Sequence, residues 1–462
     1  MSVLSWFNRL VPGVLVPLCL ALVGGYFTVR LRGLWLHPVR LWRRMMTPQR
    51  SGGISPRRAL SLALAGVLGV GNLVGVAGAI SYGGAGAVLW MWVSATVAMM
   101  LKYAEIVLAL HHRRWESGTL RGSAMYYIED GCRRHPRAGK VVGALFAALC
   151  LIDAVCMGCM IQINAVSTAW HSRLSVPLWV TGLLLAVGVL WVGLRGADGV
   201  SAVTERIVPL MTVGFCLLSL LAIGRRAGQV PAVLARIVSE GLRGTNTAEA
   251  AAAGVSGFLF SRALRYGTMR GLLSNEAGCG TSPMAHADAH TTDAVAQGGM
   301  GIVEVLVDTH LLCTMTALVI LLAFGGAVPA LPPMLLTVAA FEQLLGRWAG
   351  VFLCVAVLFF GLATVLCWSD YMRRAAAYLF PFRTRAEAGV RGGVCLLLYA
   401  LFCLLGAYGA PAAVWELSDF AIGSMTVINV LFLWKSRREI IALTASATPN
   451  TRRTSNDDKS DP

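Results

Sequence analysis

The residues of this chain that could do chemistry are amides, hydroxyls and carboxyls set singly into long apolar runs. Asn72 lies in GVGNLVGVAG (69–78), among four glycines. Asp153, Gln162 and Asn164 share one run, and Glu304 and Asp308 stand four apart in another, on one helical face. Thr364 and Asp370 lie in a third, and Asp419 and Asn429 near the ends of a fourth. Such groups are costly in lipid unless they bind or bridge something, so each is a functional hypothesis. Asn72 stands out, because each glycine weakens a helix by about 1 kcal/mol relative to alanine. The backbone around it can unwind, and its amide can answer the freed groups or a ligand. Gln162 and Asn164 cannot both face one partner helix, and we assign Gln162 to a cavity. Asp153 reads as solvated near an interface, Asp308 as a bridge between helices, and Lys102 with Glu105, three residues apart, as a structural ion pair.

Covalent and resident-metal chemistry find little support. The chain has no H-E-x-x-H, P-loop or G-x-S-x-G motif, so we read no enzyme and no cofactor, and any pumping must be driven by an ion gradient. HADAH (286–290) alternates like a metal signature but follows the apolar segment as a loop. Cys156 and Cys159 have C-x-x-C spacing without a βαβ context, which favours packing over redox chemistry.

These groups need a scaffold, and composition says which. The chain has 462 residues, 56% hydrophobic and 13% charged, with mean hydropathy +0.68; soluble chains are about 25% charged. The expected class is an all-α polytopic membrane protein. Eleven apolar segments separate: 10–29, 57–81, 85–110, 141–169, 176–194, 203–223, 249–268, 297–326, 349–378, 392–408 and 412–434. The first is read as an uncleaved helix. Of the 39 Lys and Arg, 31 fall on one side of these spans and seven on the other, with Lys102 inside one. The net charge of +16 is therefore read as the positive-inside rule and not as nucleic-acid binding. It predicts an outside N-terminus, a cytoplasmic C-terminus and a multi-pass protein of the cell inner membrane. Setting the first helix aside leaves five plus five, hence an inverted repeat over 57–223 and 249–434. The glycines of AGVSG (253–257), Gly254 and Gly257, open the second half as GVGNLVG opens the first. Paired broken helices in inverted repeats mark the substrate site of a secondary transporter. Residues 1–442 form one transmembrane domain, and the polar tail 443–462 is expected to be disordered and cytoplasmic.

The stretch RYGTMRGLLSNEAGCGTSPMAHADA (265–289) resembles the most recognisable block of the alanine/glycine:cation symporter family, and VDTHLLCTMTALVIL (307–321), GVGNLVGVAGAI (69–80), AMYYIEDG (124–131) and VWELSD (414–419) continue the likeness. The resemblance implies a LeuT-like five-plus-five fold with one extra N-terminal helix, about 11 transmembrane helices in all. It also implies import of alanine or glycine with sodium or protons, the cation being a co-transported ligand. On this sequence it places the substrate carboxylate at Gly69, Val70, Gly71 and Asn72, the amino group near Gly254, Gly257 and Gln162, and Trp368 as a wall that limits side-chain size. The cation would lie among Gly69, Asn72, Ala363 and Thr364.

The chain departs from that pattern at the site itself. Val70 stands for a threonine, Ala363 for a serine, Cys367 for a glycine and Asp370 for a tyrosine. Three readings follow: a sodium symporter with a thinner site, a proton symporter with Asp370 or Asp153 as carrier, or an altered substrate. A non-transporting membrane sensor of the same fold is the alternative from another class.

Overall fold

The computed structural model describes residues 3–31, 34, 55–116, 119–243, 262–291, 293–381, 384–409 and 412–446. They are overwhelmingly helical. In chain order the helices are α1 (Val3–Arg30), α2 (Pro56–Val67), α3 (Gly71–Gly83), α4 (Gly86–His111), α5 (Ala124–Gly131), α6 (Pro136–Leu174), α7 (Leu178–Gly193), α8 (Gly196–Gly224), α9 (Val230–Arg243), α10 (Arg262–Asn275), α11 (Ala294–Phe324), α12 (Pro333–Leu345), α13 (Arg347–Leu379), α14 (Arg385–Tyr408), α15 (Ala412–Lys435) and α16 (Arg437–Ser446). Eight of them are long and apolar enough to cross a membrane, and the bent pair α2–α3 makes a ninth span. The chain is a multi-pass membrane protein.

Burial separates scaffold from lipid face. In α4 the apolar window is 78% buried and in α13 67%, against 28% in α8 and 22% in α14. The outer helices turn Leu210, Leu217 and Leu221 of α8, and Val394, Leu397 and Leu401 of α14, to the surroundings. That contiguous apolar exposure is what lipid-facing positions require. The polar groups named above face inward instead: Asn72, Asp153, Gln162, Asp308, Thr364 and Asn429 are all buried.

Local chemistry sets where helices begin and bend. Ser55 caps α2, accepting from the Arg58 N–H at 3.3 Å, with Pro56 at the first helical position. Within three of the core spans the helix loosens into π turns, at Gly71–Gly75, Cys156–Ile161 and Leu306–Cys313. Such bulges free backbone groups and recur at functional sites.

Three expectations are corrected by this architecture, the first being Asp153, which is fully buried between helices and not solvated at an interface. Arg262, Arg265 and Arg270 were counted with the basic side. The Arg262 carbonyl would lie 3.2 Å from a Cβ on Gly83, and Tyr266 stacks near Tyr82 at 5.4 Å. These arginines therefore lie toward the α3–α4 end of the bundle, and the tally becomes 28 against ten. Lys102 does not pair with Glu105. Its Nζ lies 2.6 Å from Glu304 Oε1 on α11 and donates to the Asn275 carbonyl at 2.6 Å. Both residues of α4 are fully buried between helices, where partners on neighbouring elements satisfy them better than each other.

Candidate functional site

The first break is built from the glycine-rich stretch. Helix α2 stops at Val67, three residues intervene, and α3 resumes at Gly71 with a bend of 45°. Two side chains close around the gap. Gln162, at the end of the α6 π turn, accepts from the Val70 N–H at 2.9 Å and donates to the Met157 carbonyl at 3.2 Å. Thr364 of α13 donates to the Ala65 carbonyl at 2.9 Å. A Cβ at Gly69 would sit 2.5 Å from Thr364 Oγ1 and 2.7 Å from Gln162 Oε1, so only glycine lets both reach the backbone.

Asn72 points elsewhere. Its Nδ2 donates to Asp308 Oδ1 at 2.6 Å and to the Asp308 carbonyl at 3.1 Å, inside the α11 π turn. Ser274 Oγ donates to the same Oδ1 at 3.0 Å and Thr309 Oγ1 to Oδ2 at 2.7 Å. Asp308 thus gathers α3, α10 and α11 onto one buried carboxylate. The Asn72 side-chain oxygen Oδ1, also buried, makes no hydrogen bond among the described residues. A carboxylate beside an unused amide oxygen is a donor set suited to a hard cation.

The second break lies at 276–282, after α10. Glu276 (φ 52°), Gly278 (φ 87°) and Gly280 (φ 81°) turn the chain out of the helix. A single helical turn, Pro283–His286, then resumes it. Glu105 accepts from the Gly280 N–H at 3.1 Å and from Asn429 at 2.8 Å. Glu276 accepts from Thr281 at 2.6 Å, and the indole N–H of Trp368 approaches the same carboxylate without closing a full hydrogen bond. Sequence reasoning put the second break at Gly254 and Gly257; those residues lie outside the described ones, and the break seen follows Asn275. The usable signal was SNEAGCG, where two glycines and a buried acid replace glycine density.

The profile of the "Sodium:alanine symporter family" matches residues 1–459. The chain belongs to the sodium:alanine symporter family. It is 33% identical over 445 residues to the sodium/alanine symporter AgcS of Methanococcus maripaludis, covering 94% of both chains. It is 30% identical over 434 residues to the Bacillus subtilis protein named "Probable sodium/glutamine symporter GlnT", covering 92% of this chain and 86% of that one. Among solved structures it resembles MhsT in complex with L-phenylalanine, with TM-score 0.53, 14% identity and 87% and 94% of the two chains covered. That likeness shows the fold, the LeuT-like architecture expected, and the family is one of secondary transporters and not of enzymes.

In this family member the anticipated site residues divide into two groups. Gly69, Val70, Gln162 and Thr364 meet at the first break, with Ala363 buried beside Thr364 and Gly71 just beyond. Asn72 joins Asp308, so the cation set drawn from Gly69, Asn72, Ala363 and Thr364 is split. Trp368 is fully buried against Gly158, where a Cβ would lie 2.5 Å from it, and its ring stands 5.4 Å from Tyr371. HADAH does not assemble. His286 Nε2 lies 3.1 Å from Glu304, Asp288 pairs with Arg374, and His290 packs on Trp115. Burial pushes the Asp288 carboxyl above its usual range, against the pull of Arg374.

Asp370 is bound by Arg373 at 2.8 Å and Arg374 at 2.6 Å. A carboxylate with two guanidinium partners is poorly placed to take up and release protons, which removes one of the two expected proton carriers. This ion cluster floors a cavity of about 850 Å³ that opens between Trp115, Tyr126, Arg121 and Asp288, at the end of the bundle opposite the α3–α4 turn.

Proposed function

We propose that this chain imports small neutral amino acids, alanine and glycine first among them, together with sodium. The carrying observation is the pairing of a backbone break held by Gln162 and Thr364 with a buried carboxylate, Asp308, that ties Asn72 to α10 and α11. The substrate carboxylate takes the Val70 N–H, with Gln162 swinging from that position, and the neighbouring backbone of Gly69, Gly71 and Asn72 helps to receive it. The amino group turns to the carboxylates of the second break. Trp368 limits the side chain to about a methyl group. Sodium binds Asn72 Oδ1 and Asp308, while Ser274 and Thr309 orient the carboxylate. Thr364 and the carbonyls of α2 offer a second, thinner set in which Ala363 contributes no oxygen.

The protein lies in the cell inner membrane with its N-terminus outside and its C-terminus in the cytoplasm, which the 28-to-ten distribution of basic residues supports. The cavity above Asp370 then faces the cytoplasm and serves as the exit path. Purified protein in liposomes tests the proposal. Labelled alanine and glycine enter when an inward sodium gradient is imposed, and stay out without it. Glutamine, the substrate named for one relative, serves as the size control and is excluded. No uptake of alanine or glycine under sodium or proton gradients overturns the proposal.

A further inference from the structure

A group of imidazoles and carboxylates at the end of α4 takes no part in this scheme. Adjacent residues of a helix point apart, but α4 stops at His111, and His112 follows it with φ −94° and ψ 12°. The two rings stand perpendicular, at 87°, with centroids 5.2 Å apart. Both Nε2 atoms meet one oxygen of α16: Glu439 Oε1 lies 3.1 Å from His112 Nε2 and 3.4 Å from His111 Nε2. The other nitrogen of His112 faces α5, with Nδ1 2.8 Å from Asp130 Oδ2. Arg114 holds the second oxygen of Asp130. Helix α16 meets α4 again at Thr444, whose hydroxyl lies 2.9 Å from that of Tyr103.

Ionised carboxylates accept and do not donate. A neutral His112 ring has one N–H proton, and the shorter contact, to Asp130, takes it on Nδ1. Nε2 then turns a lone pair toward Glu439, and two lone pairs 3.1 Å apart need a cation between them. A proton would serve that pair alone and leave His111 out. Three ligand atoms converge here, all within 4.8 Å of one another, and an ion with several bonds uses all three. Zinc held tetrahedrally by nitrogen and oxygen at about 2.0–2.1 Å sets those atoms about 3.3 Å apart. The two contacts of Glu439, 3.1 and 3.4 Å, match that spacing. A turn of the His111 ring closes the remaining edge, and its side chain, 47% exposed, gives the ion a way in. Two imidazoles and a carboxylate suit zinc, cobalt, nickel or copper, whereas sodium, magnesium and calcium favour oxygen alone. Asp130 is the carboxylate behind a histidine that orients metal-binding imidazoles.

We infer that His111, His112 and Glu439 form a site for a divalent transition-metal ion of the zinc class, and that the ion pins α16 to α4 and, through Asp130, to α5. Water takes the fourth position. His112 and Glu439 are 327 residues apart in the chain, so only the folded protein assembles the site, and binding adds to its stability. His111 follows Glu105 by six residues, about 9 Å along α4. The site is thus separate from both breaks and does not depend on what the bundle carries.

Titration calorimetry with zinc chloride, on the purified full-length chain freed of any histidine tag, tests this. Zinc binds saturably, and its affinity falls by at least about a hundredfold in His112→Ala and in Glu439→Gln, the upper end of what outer-shell changes cost. Asp130→Asn, which keeps all three ligands, weakens binding about tenfold to a hundredfold. Cobalt in place of zinc gives the visible absorption of a tetrahedral site, and the same ligand variants lose it. Hydrogen exchange reads the pin: zinc slows exchange over Arg437–Ser446 in the wild type and not in Glu439→Gln. Should His112→Ala fail to fold, His111→Ala, at the half-exposed ligand, carries the affinity test in its place. No saturable binding, or an affinity unchanged in every ligand variant, overturns the site. Zinc binding that leaves exchange in α16 unchanged overturns the pin.

Discussion

The first break, at 68–70, and the second, at 276–282, interrupt their helices with opposite chemistry. The first is apolar in its own side chains and gains polarity from visitors, Gln162 and Thr364, that reach its backbone. Val70 within it keeps near-helical angles, φ −68° and ψ −10°. The second carries three residues at positive φ, and buried carboxylates from Glu276 and Glu105 line it. A backbone N–H held only by a side chain that can move aside suits an anion, and an acid-lined stretch suits a cation. A zwitterion bridging the two is the ligand this contrast fits, and the contrast can be attacked from either side.

The largest effect is expected where the two halves meet, at Asp308. Asp308→Ala leaves Asn72, Ser274 and Thr309 facing an empty position, a loss on the order of 3–5 kcal/mol for a buried charged group. Sodium-driven uptake falls by at least about a hundredfold, and Asp308→Asn, which keeps the shape, recovers part of the fold but not the sodium dependence. Unaltered sodium dependence in Asp308→Ala would show that the cation lies elsewhere.

Next come the glycines, which separate the breaks directly. A Cβ at Gly280 would lie 2.8 Å from Ala124 Cβ and 2.9 Å from the Phe146 ring, at φ 81°. Gly280→Ala therefore combines left-handed strain of about 1–2 kcal/mol with overpacking of about 1–3 kcal/mol. At Gly71 the nearest atom is 3.6 Å away, and Gly71→Ala costs less than about 1 kcal/mol. Thermal unfolding of the two variants in detergent reads the difference, and equal losses would erase the distinction. Gln162→Ala removes the carboxamide that the substrate must displace from the Val70 N–H, a hydrogen bond worth about 1 kcal/mol; the KM for alanine falls about fivefold.

How much of this was legible follows from what glycine and charge can signal. GVGNLVG announced its break because three glycines in a hydrophobic run have few other uses. SNEAGCG hid its break, since its glycines are two and Glu276 takes the left-handed conformation itself. Glycine density drew attention to Gly254 and Gly257, which lie outside the described residues. Asn72 was readable as functional, but its partner was not: Asp308 lies 236 residues away, and only the packing of α3 on the α11 π turn joins them. Lys102 and Glu105 misled for the same reason, because spacing along one helix cannot reveal Glu304 or Asn429 across the bundle. The long spans were plain, their apolar runs admitting one reading, whereas the shorter helices Val230–Arg243 and Pro333–Leu345 carry no such run and were not expected.

The smallest expected change is also the most local. Val70 is fully buried beside Gln162 and Thr364, and its backbone N–H already has a partner. In Val70→Thr the new hydroxyl satisfies itself on a carbonyl one turn back in α2, as threonine does within helices, so the fold survives. Its lone pairs then face the gap that Gln162 and Thr364 border, adding an oxygen where Ala363 supplies none. One added ligand is worth about 1 kcal/mol, so the KM for sodium drops about fivefold. A sodium KM that does not move would mean that the first break works through its backbone alone and that Asp308 carries the cation without help from Thr364.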